Sequence, residues 1–279
     1  MRYKLSAPAT LHTTIQLPAS KSISNRALIL HALAQGHIAP SNLSDCDDTR
    51  VMIKALDGNP GHIDILAAGT AMRFLTAYLS VTPGTRIITG TERMQQRPIR
   101  ILVDALRELG AQIEYAGKEG FPPLRITGTE LTGEEISLAG NVSSQYISAL
   151  LMIGPILKNG LRLNLTGEII SRPYINLTLQ LMKEFGADAA WSSESSITVR
   201  PGKYRDIPFT VESDWSGASY WYQMVALIQD NEKKESTKTE IKLPGLLPHS
   251  YQGDSRGAEI FAKLGVHTTY TCLLYTSPS

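Results

Sequence analysis

Two cations and three hydroxyl groups lie close together near the start of the chain, in the segment PASKSISNRAL at residues 18–28. The segment follows a predicted strand that ends at a proline, and it opens an amphipathic helix whose free N–H groups favour an anion. Lys21 adds a compact positive charge and Arg26 a planar fork that suits phosphate or carboxylate. Ser22 and Ser24 could cap the helix or bond a ligand oxygen. The pattern indicates a site for a small phosphorylated ligand, with a capped helix and solvated basic residues as the plainer alternative.

The composition of the 279 residues excludes several classes of protein. Lys and Arg number 27 against 26 Asp and Glu, so the basic excess of a general nucleic-acid binder is missing. The apolar runs are too short to span a membrane, and the first residues lack the apolar core of a signal peptide. Two cysteines and six scattered histidines form neither a disulfide framework nor a metal motif. We therefore expect a soluble cytoplasmic protein that binds no nucleic acid, membrane or metal.

An internal repeat organises the chain. Predicted helices with an apolar stripe end in Leu-Gly or Phe-Gly three times, with the glycines at positions 110, 186 and 265. Each glycine lies where the end of a helix favours left-handed backbone conformation. A short strand is predicted after each of these glycines, at residues 112–115, 188–191 and 267–270.

A second set of predicted helices recurs with a similar spacing. Each of them opens with small polar residues, at 68–73, 142–146 and 213–218. Further strands are predicted at residues 86–89, 124–127, 136–138, 161–165 and 196–199. The charged stretch 230–242 is predicted to be a surface excursion that leads into a strand. Two interleaved features with one spacing predict repeated α/β motifs within globular lobes.

Seven motifs occur along the chain in one order, at residues 18–28, 45–50, 68–73, 97–99, 142–146, 171–175 and 252–254. In this order residues 4–267 resemble the 5-enolpyruvylshikimate-3-phosphate synthase family. The resemblance implies an α/β, two-lobed enolpyruvyl transferase fold of repeated βαβαββ units, three per lobe, whose helix starts converge on the cleft between the lobes. It implies one complete lobe at residues 20–212 and a partial second lobe at residues 1–19 and 213–267.

The resemblance also implies an activity: transfer of the enolpyruvyl group of phosphoenolpyruvate to the 5-hydroxyl of shikimate 3-phosphate, releasing phosphate, in aromatic amino acid biosynthesis. It implies no cofactor and a monomeric enzyme. Lys21 would contact both substrates. The shikimate 3-phosphate side would comprise Ser22, Arg26, Ser143, Ser144, Gln145, Ser171 and Tyr174. The phosphoenolpyruvate side would comprise Gly69, Arg97 and Gln145, where glycine allows close backbone approach.

Plainer interpretations stay open for several of these residues. Arg97 could simply begin a helix with proline at its first position, and Ser143 and Ser144 could be only an N-cap pair. Tyr174 could pack against its neighbours without touching a ligand. Asp47, Asp48 and Arg50 could form an ion-pair network, and we expect this structural role for Asp48 and Arg50 rather than contact with a substrate.

The resemblance further implies two more repeat units beyond residue 267, with a proton-accepting aspartate, a Lys-Glu pair and further anion-binding Arg and Lys residues. The chain is therefore expected to be a C-terminally truncated fragment without activity of its own. Its partial lobe is expected to expose apolar faces. Residues 268–279 are expected to be largely non-native, because 272–279 resemble the translation of a sequencing adapter.

Two other functions remain as alternatives. The UDP-N-acetylglucosamine enolpyruvyl transferase family resembles this chain in architecture, but it has a Lys-Asn pair where Lys21 and Ser22 stand. It also has a cysteine in the loop before the Arg-Pro motif, and the loop at residues 91–96 contains none. From another class, the chain could be a non-catalytic anion-binding module.

Overall fold

The computed structural model describes residues 11–58, 60–229 and 239–271. Its α-helices are α1 (Lys21–Leu33), α2 (Asp47–Leu56), α3 (Gly69–Val81), α4 (Glu92–Gln95), α5 (Arg100–Glu108), α6 (Ser144–Ile153), α7 (Arg172–Glu184), α8 (Trp215–Gln229) and α9 (Gly257–Ala262). Its strands are β1 (His12–Thr14), β2 (His62–Asp64), β3 (Gly84–Thr89), β4 (Gln112–Tyr115), β5 (Leu124–Gly128), β6 (Glu135–Ala139), β7 (Leu161–Thr166), β8 (Ala189–Trp191), β9 (Ser196–Val199) and β10 (Glu240–Lys242). Short 3-10 helices lie at Gly154–Ile156 and Gly253–Arg256.

The chain divides into two compact units, a larger unit of Ala19–Val211 and a smaller unit of Met1–Pro18 with Glu212–Ser279. The sequence-based boundaries were drawn at 20–212 for a complete lobe and at 1–19 with 213–267 for a partial one. That these units correspond to a complete and a partial lobe of the family stays a prediction.

Two four-stranded sheets with one topology build the larger unit, in the strand orders β2-β3-β5-β4 and β6-β7-β9-β8. In each sheet the first pair is parallel and the next two pairs are antiparallel. Apart from the short α4 between β3 and α5, the chain order is β2-α3-β3-α5-β4-β5 in one motif and β6-α6-β7-α7-β8-β9 in the other. The predicted βαβαββ motif of an α/β fold is thus confirmed. The rest of this unit contributes α1, α2 and a parallel bridge between Ser41 and Thr210.

The three predicted helix ends share one hydrogen-bonding motif. Gly110, Gly186 and Gly265 have φ values of 101°, 89° and 86°. At the first of them, the Ala111 N–H donates to Leu106 O at 2.9 Å and the Gly110 N–H to Arg107 O at 2.9 Å, and the pair of bonds recurs at the other two glycines. This is the Schellman motif, in which a left-handed residue satisfies the last helical carbonyls. The repeat read from the sequence therefore has a physical cause.

The five strands predicted within the larger unit are confirmed as β3, β5, β6, β7 and β9, and those after Gly110 and Gly186 as β4 and β8. The strand predicted at 267–270 is wrong, because that segment pairs with no strand in the described part of the chain; the Thr268 hydroxyl instead lies 2.9 Å from the Tyr222 hydroxyl. The strand expected near residue 242 is β10, which runs parallel to β1. Residues 230–238 and 272–279 of the predicted excursion and tail lie outside the described residues.

Burial explains the different helix patterns. Helix α5 buries Leu102, Val103 and Leu106 and exposes Asp104 between them, as an amphipathic surface helix does. Helix α3 is buried almost all round, because it packs against α1, α6 and β5. No helix in the described residues combines the length and apolarity that crossing a membrane requires.

The smaller unit has its own apolar core, formed around α8 and α9 by Trp215, Ala218, Tyr222, Val225 and Val266. The same helices also carry large apolar side chains on their surface: Tyr220 is 68% exposed and Ile260 60%. Leu264, just after α9, is 59% exposed.

A carboxyl group in the smaller unit makes its stability depend on pH. Burial raises the pKa of Glu212, against the opposing effect of hydrogen bonds from Ser250 and Gln252, and its Oε2 atom is buried without a partner among the described residues. A raised native-state pKa contributes stability below pH 4.5, the ordinary value, which is lost as the pH rises through the native value.

We therefore expect Glu212→Gln to stabilise the protein relative to wild type at pH 7 and to have a smaller effect at pH 4, because the neutral amide avoids the buried charge. Urea unfolding at the two pH values measures the difference. A variant that is less stable than wild type at pH 7 and equal to it at pH 4 would contradict the assignment.

Candidate functional site

Helices α1, α6 and α7 of the larger unit contact one another through residues in the second turn of each helix. Arg26 of α1 donates from Nε to the Thr178 hydroxyl of α7 at 2.8 Å and from Nη2 to the Ser148 hydroxyl of α6 at 3.0 Å. The two hydroxyls are themselves 2.8 Å apart. Because all three residues lie one turn inside their helices, the starts of α1, α6 and α7 lie at one end of the bundle. The predicted site residues lie at those starts: Lys21 and Ser144 are the first residues of α1 and α6, and Ser171 is the N-cap of α7.

The structure places the fork of Arg26 in the interior rather than at the open helix start. The side chain is 3% exposed, its Nη1 donates to Ser22 O at 2.9 Å, and its guanidinium lies 5.2 Å from the centre of the Phe74 ring. Burial lowers the pKa of Arg26 to about 10, against a smaller opposing effect of the Tyr174 phenol. The described residues give it no carboxylate partner. Its charge therefore lies beneath the first turn of α1.

The serines around Lys21 have different roles. Ser24 was expected to cap the helix or to bond a ligand, and this is wrong: it is fully buried and its hydroxyl accepts the Ser44 N–H at 2.9 Å. The N-cap position belongs to Ser20, whose side chain makes no cap hydrogen bond. Ser22 is half-buried and Lys21 is exposed, and no hydrogen bond or ion pair of the Lys21 ammonium occurs among the described residues.

Gly69 and Arg97 lie in direct contact. A Cβ atom added to Gly69, the first residue of α3, would lie 2.7 Å from Nη2 and 2.8 Å from Cζ of Arg97. Only glycine therefore lets the guanidinium rest on the backbone at this helix start. Arg97 is exposed, and in the described ranges its guanidinium has no hydrogen-bond or ion-pair partner. An unpaired fork beside the N–H groups of a helix start is a combination that suits an anion.

Arg73, for which no role was predicted, hydrogen-bonds to the backbone on both sides of this contact. Its Nη1 donates to Gly69 O at 3.0 Å and its Nη2 to Pro98 O at 3.2 Å. Pro98 O also accepts the Tyr146 hydroxyl at 2.9 Å. Arg73 is 5% exposed, and burial lowers its pKa, with Tyr146 opposing and Arg97 adding to the effect. The sequence offered one signal, an arginine in the second turn of a helix that is otherwise uncharged.

Gln145 connects the helix start of α6 with that of α3. Its Nε2 donates to the Thr70 hydroxyl at 3.3 Å, next to Gly69, and its N–H donates to the Ser143 hydroxyl at 3.3 Å. Ser143 is thus the N-cap, and Ser144, the other member of the predicted pair, is the half-buried first residue of the helix.

The expected ion-pair network is confirmed for Asp47 and Arg50, but Asp45 takes the place that was predicted for Asp48. Arg50 lies 3.9 Å from both Asp45 and Asp47, and all three side chains are exposed. Asp48 instead accepts the Thr70 N–H at 3.3 Å, so its carboxylate contributes to the start of α3. Pairing with Asp48 was wrong because Asp48 faces a helix start with unsatisfied N–H groups.

Ser171 occupies the N-cap position of α7 without a side-chain cap bond, and it is half-buried. Tyr174 is 43% exposed, and its carbonyl accepts the Thr178 hydroxyl at 2.9 Å. One turn further along α7, the Thr178 hydroxyl also accepts the Arg26 Nε–H of α1 at 2.8 Å. The start of α7 therefore adjoins the start of α1.

The larger unit thus brings most of the predicted residues into two linked groups: Gly69, Arg97 and Gln145 at the start of α3, and Ser22, Arg26, Ser171 and Tyr174 at the starts of α1 and α7. Helix N-termini and cations predominate in both groups, which favours a ligand with several negative charges. The described residues contain no cluster of three or more His, Cys, Asp or Glu side chains that would hold a metal ion.

Solved structures share this fold. Two structures of EPSP synthase from Acinetobacter baumannii superimpose with TM-scores of 0.71 and 0.68 at 22% and 23% sequence identity. They cover 85% and 78% of this chain, and the chain covers 57% and 54% of theirs. The likeness at this identity concerns the fold.

Curated proteins are much closer in sequence. A protein of Bacteroides fragilis named 3-phosphoshikimate 1-carboxyvinyltransferase is 72% identical over 271 residues, which are 97% of this chain. A protein of Shewanella halifaxensis with the same name is 39% identical over 280 residues. The chain spans 64% of the length of each of these relatives.

The family model described as EPSP synthase (3-phosphoshikimate 1-carboxyvinyltransferase) matches residues 5–58 and 59–272. The match includes every residue of the two groups at the helix starts. With the repeated βαβαββ motif and the close relatives, it shows that the chain belongs to the EPSP synthase family.

Proposed function

We propose that the protein transfers the enolpyruvyl group of phosphoenolpyruvate to the 5-hydroxyl of shikimate 3-phosphate. The hydroxyl oxygen forms a bond to the carbon that carried the phosphate, the bond from that carbon to the phosphate oxygen breaks, and the hydroxyl proton and inorganic phosphate leave. The family and the names of the close relatives support this reaction. The observation that carries it is the unpaired Arg97 guanidinium resting on Gly69 at the start of α3.

Phosphoenolpyruvate is proposed to bind at the start of α3. Arg97 would bind its carboxylate or phosphate with two parallel N–H bonds, and the helix N–H groups beside Gly69 would approach the same anion. Gln145, which bonds to Thr70, would donate from the side of α6. Lys21, exposed at the start of α1, is proposed to contact both substrates.

Shikimate 3-phosphate is proposed to bind where α1, α6 and α7 start. The binding residues on this side would be Ser22, Arg26, Ser143, Ser144, Gln145, Ser171 and Tyr174. The serines provide hydroxyl donors to the phosphate and to the ring hydroxyls. The buried charge of Arg26 provides a fixed positive potential under these donors.

A chimera tests this proposal, because the chain spans 64% of its relatives. It joins residues 1–271 of this chain to the C-terminal remainder of the Bacteroides fragilis relative. We expect the chimera to release phosphate only when both substrates are present, and to do so after exhaustive chelation, since no cofactor is proposed. Activity that is lost on chelation and regained with a metal would contradict the cofactor proposal. No turnover by a folded chimera would refute the reaction.

For the 279-residue chain alone we propose weak binding of shikimate 3-phosphate and no turnover, because the family resemblance assigns the proton acceptor to a segment beyond residue 267. A phosphate-release assay of the chain beside the chimera measures this. We also propose a cytoplasmic, monomeric enzyme without nucleic-acid or membrane partners. Light scattering of the chimera tests the monomer.

A further inference from the structure

Arg26 and Arg73 occupy matching places in α1 and α3. Each lies in the second turn of its helix and is nearly fully buried. Each donates from Nη1 to the carbonyl four residues back, Arg26 to Ser22 O at 2.9 Å and Arg73 to Gly69 O at 3.0 Å. Each guanidinium also lies over an aromatic ring, that of Phe74 at 5.2 Å or that of Tyr146 at 5.8 Å.

Neither arginine has a carboxylate partner in the described part of the chain. A buried charge without an ionic partner opposes folding, since little compensates its lost hydration. Two such charges in matching places therefore call for a role other than stability. Arg26 lies among residues of the proposed site, but no role has yet been assigned to Arg73.

The second donor distinguishes the two residues. Nη2 of Arg26 binds a hydroxyl of the neighbouring helix α6, whereas Nη2 of Arg73 binds Pro98 O at 3.2 Å. Pro98 directly follows Arg97. Arg73 thus connects the carbonyl of Gly69 with the peptide next to Arg97, and these are the two residues in contact at the start of α3.

Hydrogen bonds fix the backbone on both sides of Arg97. Its own N–H donates to Met94 O at 3.0 Å. The carbonyl of the following residue, Pro98, accepts from Arg73 and from the Tyr146 hydroxyl. The Arg97 guanidinium has no polar partner of its own among the described residues. Its place on Gly69 therefore depends on the backbone that carries it.

We propose that Arg73 is a positioning residue, which holds the Arg97 guanidinium against the start of α3 by bridging the carbonyls of Gly69 and Pro98. The proposal rests on the proposed function, because it assumes that this guanidinium binds phosphoenolpyruvate. The positive charge of Arg73 has a second consequence. Two neighbouring guanidinium groups repel each other, and a bound anion relieves the repulsion, so Arg73 favours the occupied site.

Arg86 provides a matched control at the opposite end of α3. It is 3% exposed and donates to the carbonyls of Thr82, Pro83 and Gly84 at 2.8–3.3 Å. It is therefore a buried arginine that bridges backbone carbonyls, but it does so away from Arg97. Loss of Arg86 reports the effect of removing a buried arginine that has no contact with Arg97.

The test compares Arg73→Met, Arg73→Lys and Arg86→Met in the chimera, each with intact Arg97 and with Arg97→Ala. We expect Arg73→Met to raise the KM for phosphoenolpyruvate about tenfold and to leave the KM for shikimate 3-phosphate within about threefold. In the Arg97→Ala background the same change should have less than about a twofold effect, because the residue to be positioned is gone. Arg73→Lys should recover part of the loss, and Arg86→Met should change neither KM.

Equal effects of Arg73→Met in the two backgrounds, or an unchanged KM in the folded variant, would overturn the proposal. A crystal structure of the Arg73→Met chain separates this outcome from failure of the proposed function. The proposal requires the Arg97 guanidinium to leave Gly69 in that structure, whatever the substrate is. A guanidinium that stays on Gly69 would overturn it even if the wild-type chimera turned over both substrates.

Discussion

Replacing Arg97 with alanine in the chimera is expected to raise the KM for phosphoenolpyruvate at least tenfold. A hydrogen bond to a charged group contributes about 1.5–3 kcal/mol, and about 1.4 kcal/mol corresponds to one decade of affinity. The Arg97 guanidinium has no partner among the described residues, so its removal leaves no internal group unpaired. The fold should therefore persist, and the loss should fall on substrate binding. Steady-state kinetics with each substrate varied in turn measures it.

Two further variants sharpen this prediction. Gly69→Ala adds a Cβ atom that must displace the end of the Arg97 side chain, so we expect a higher KM for phosphoenolpyruvate with a small change in stability. Arg100→Ala is the matched control, because Arg100 is exposed, lies three residues further on, and pairs with Glu119 at 3.2 Å. If Arg100→Ala raised the KM as much as Arg97→Ala, or if both site variants stayed within twofold of wild type, the anion site would be misplaced.

Replacing Arg26 with methionine should separate folding from binding. The lowering of its pKa to about 10 corresponds to a cost of about 3 kcal/mol for burying the charge. Ser148 and Thr178 keep their mutual hydrogen bond when the guanidinium is removed. We therefore expect Arg26→Met to leave the free energy of unfolding within about 1 kcal/mol of wild type or to raise it.

Binding should respond in the opposite direction. Without the buried charge under the starts of α1 and α7, shikimate 3-phosphate should bind at least about tenfold more weakly. Urea unfolding and calorimetric titration of the chimera give the two quantities. Arg26 would be a structural residue only, contrary to this account, if the variant lost about 3 kcal/mol of stability and bound the ligand as wild type does.

The sequence predicted those parts of the fold that depend on local chemistry. Gly110, Gly186 and Gly265 could be recognised because a helix end with a left-handed residue strongly prefers glycine. Seven of the eight strands of the two four-stranded sheets were predicted, whereas β2 was missed because a strand of three residues leaves little pattern in the sequence. The segment at 267–270 has a similar pattern, but a strand also needs a partner, and pairing is not encoded locally.

In the site, too, features that depend on local sequence could be predicted and features that depend on distant partners could not. The helix starts and the residues Lys21, Gly69 and Arg97 stood out by type and position, and the structure brings Gly69 and Arg97 into contact. Burial could not be predicted for Arg26 or Ser24, because it depends on which helices pack against α1. Arg73 was overlooked for the same reason, since its partners Pro98 and Tyr146 are 25 and 73 positions away in the sequence.

Carbon NMR of the chimera with phosphoenolpyruvate labelled at its second carbon follows the enolpyruvyl group itself. With shikimate 3-phosphate present, we expect the label to move into an enol ether while one phosphate is released per label transferred. Without shikimate 3-phosphate, phosphoenolpyruvate should stay intact. Label that appears in pyruvate, or phosphate that is released without shikimate 3-phosphate, would rule out this transfer reaction.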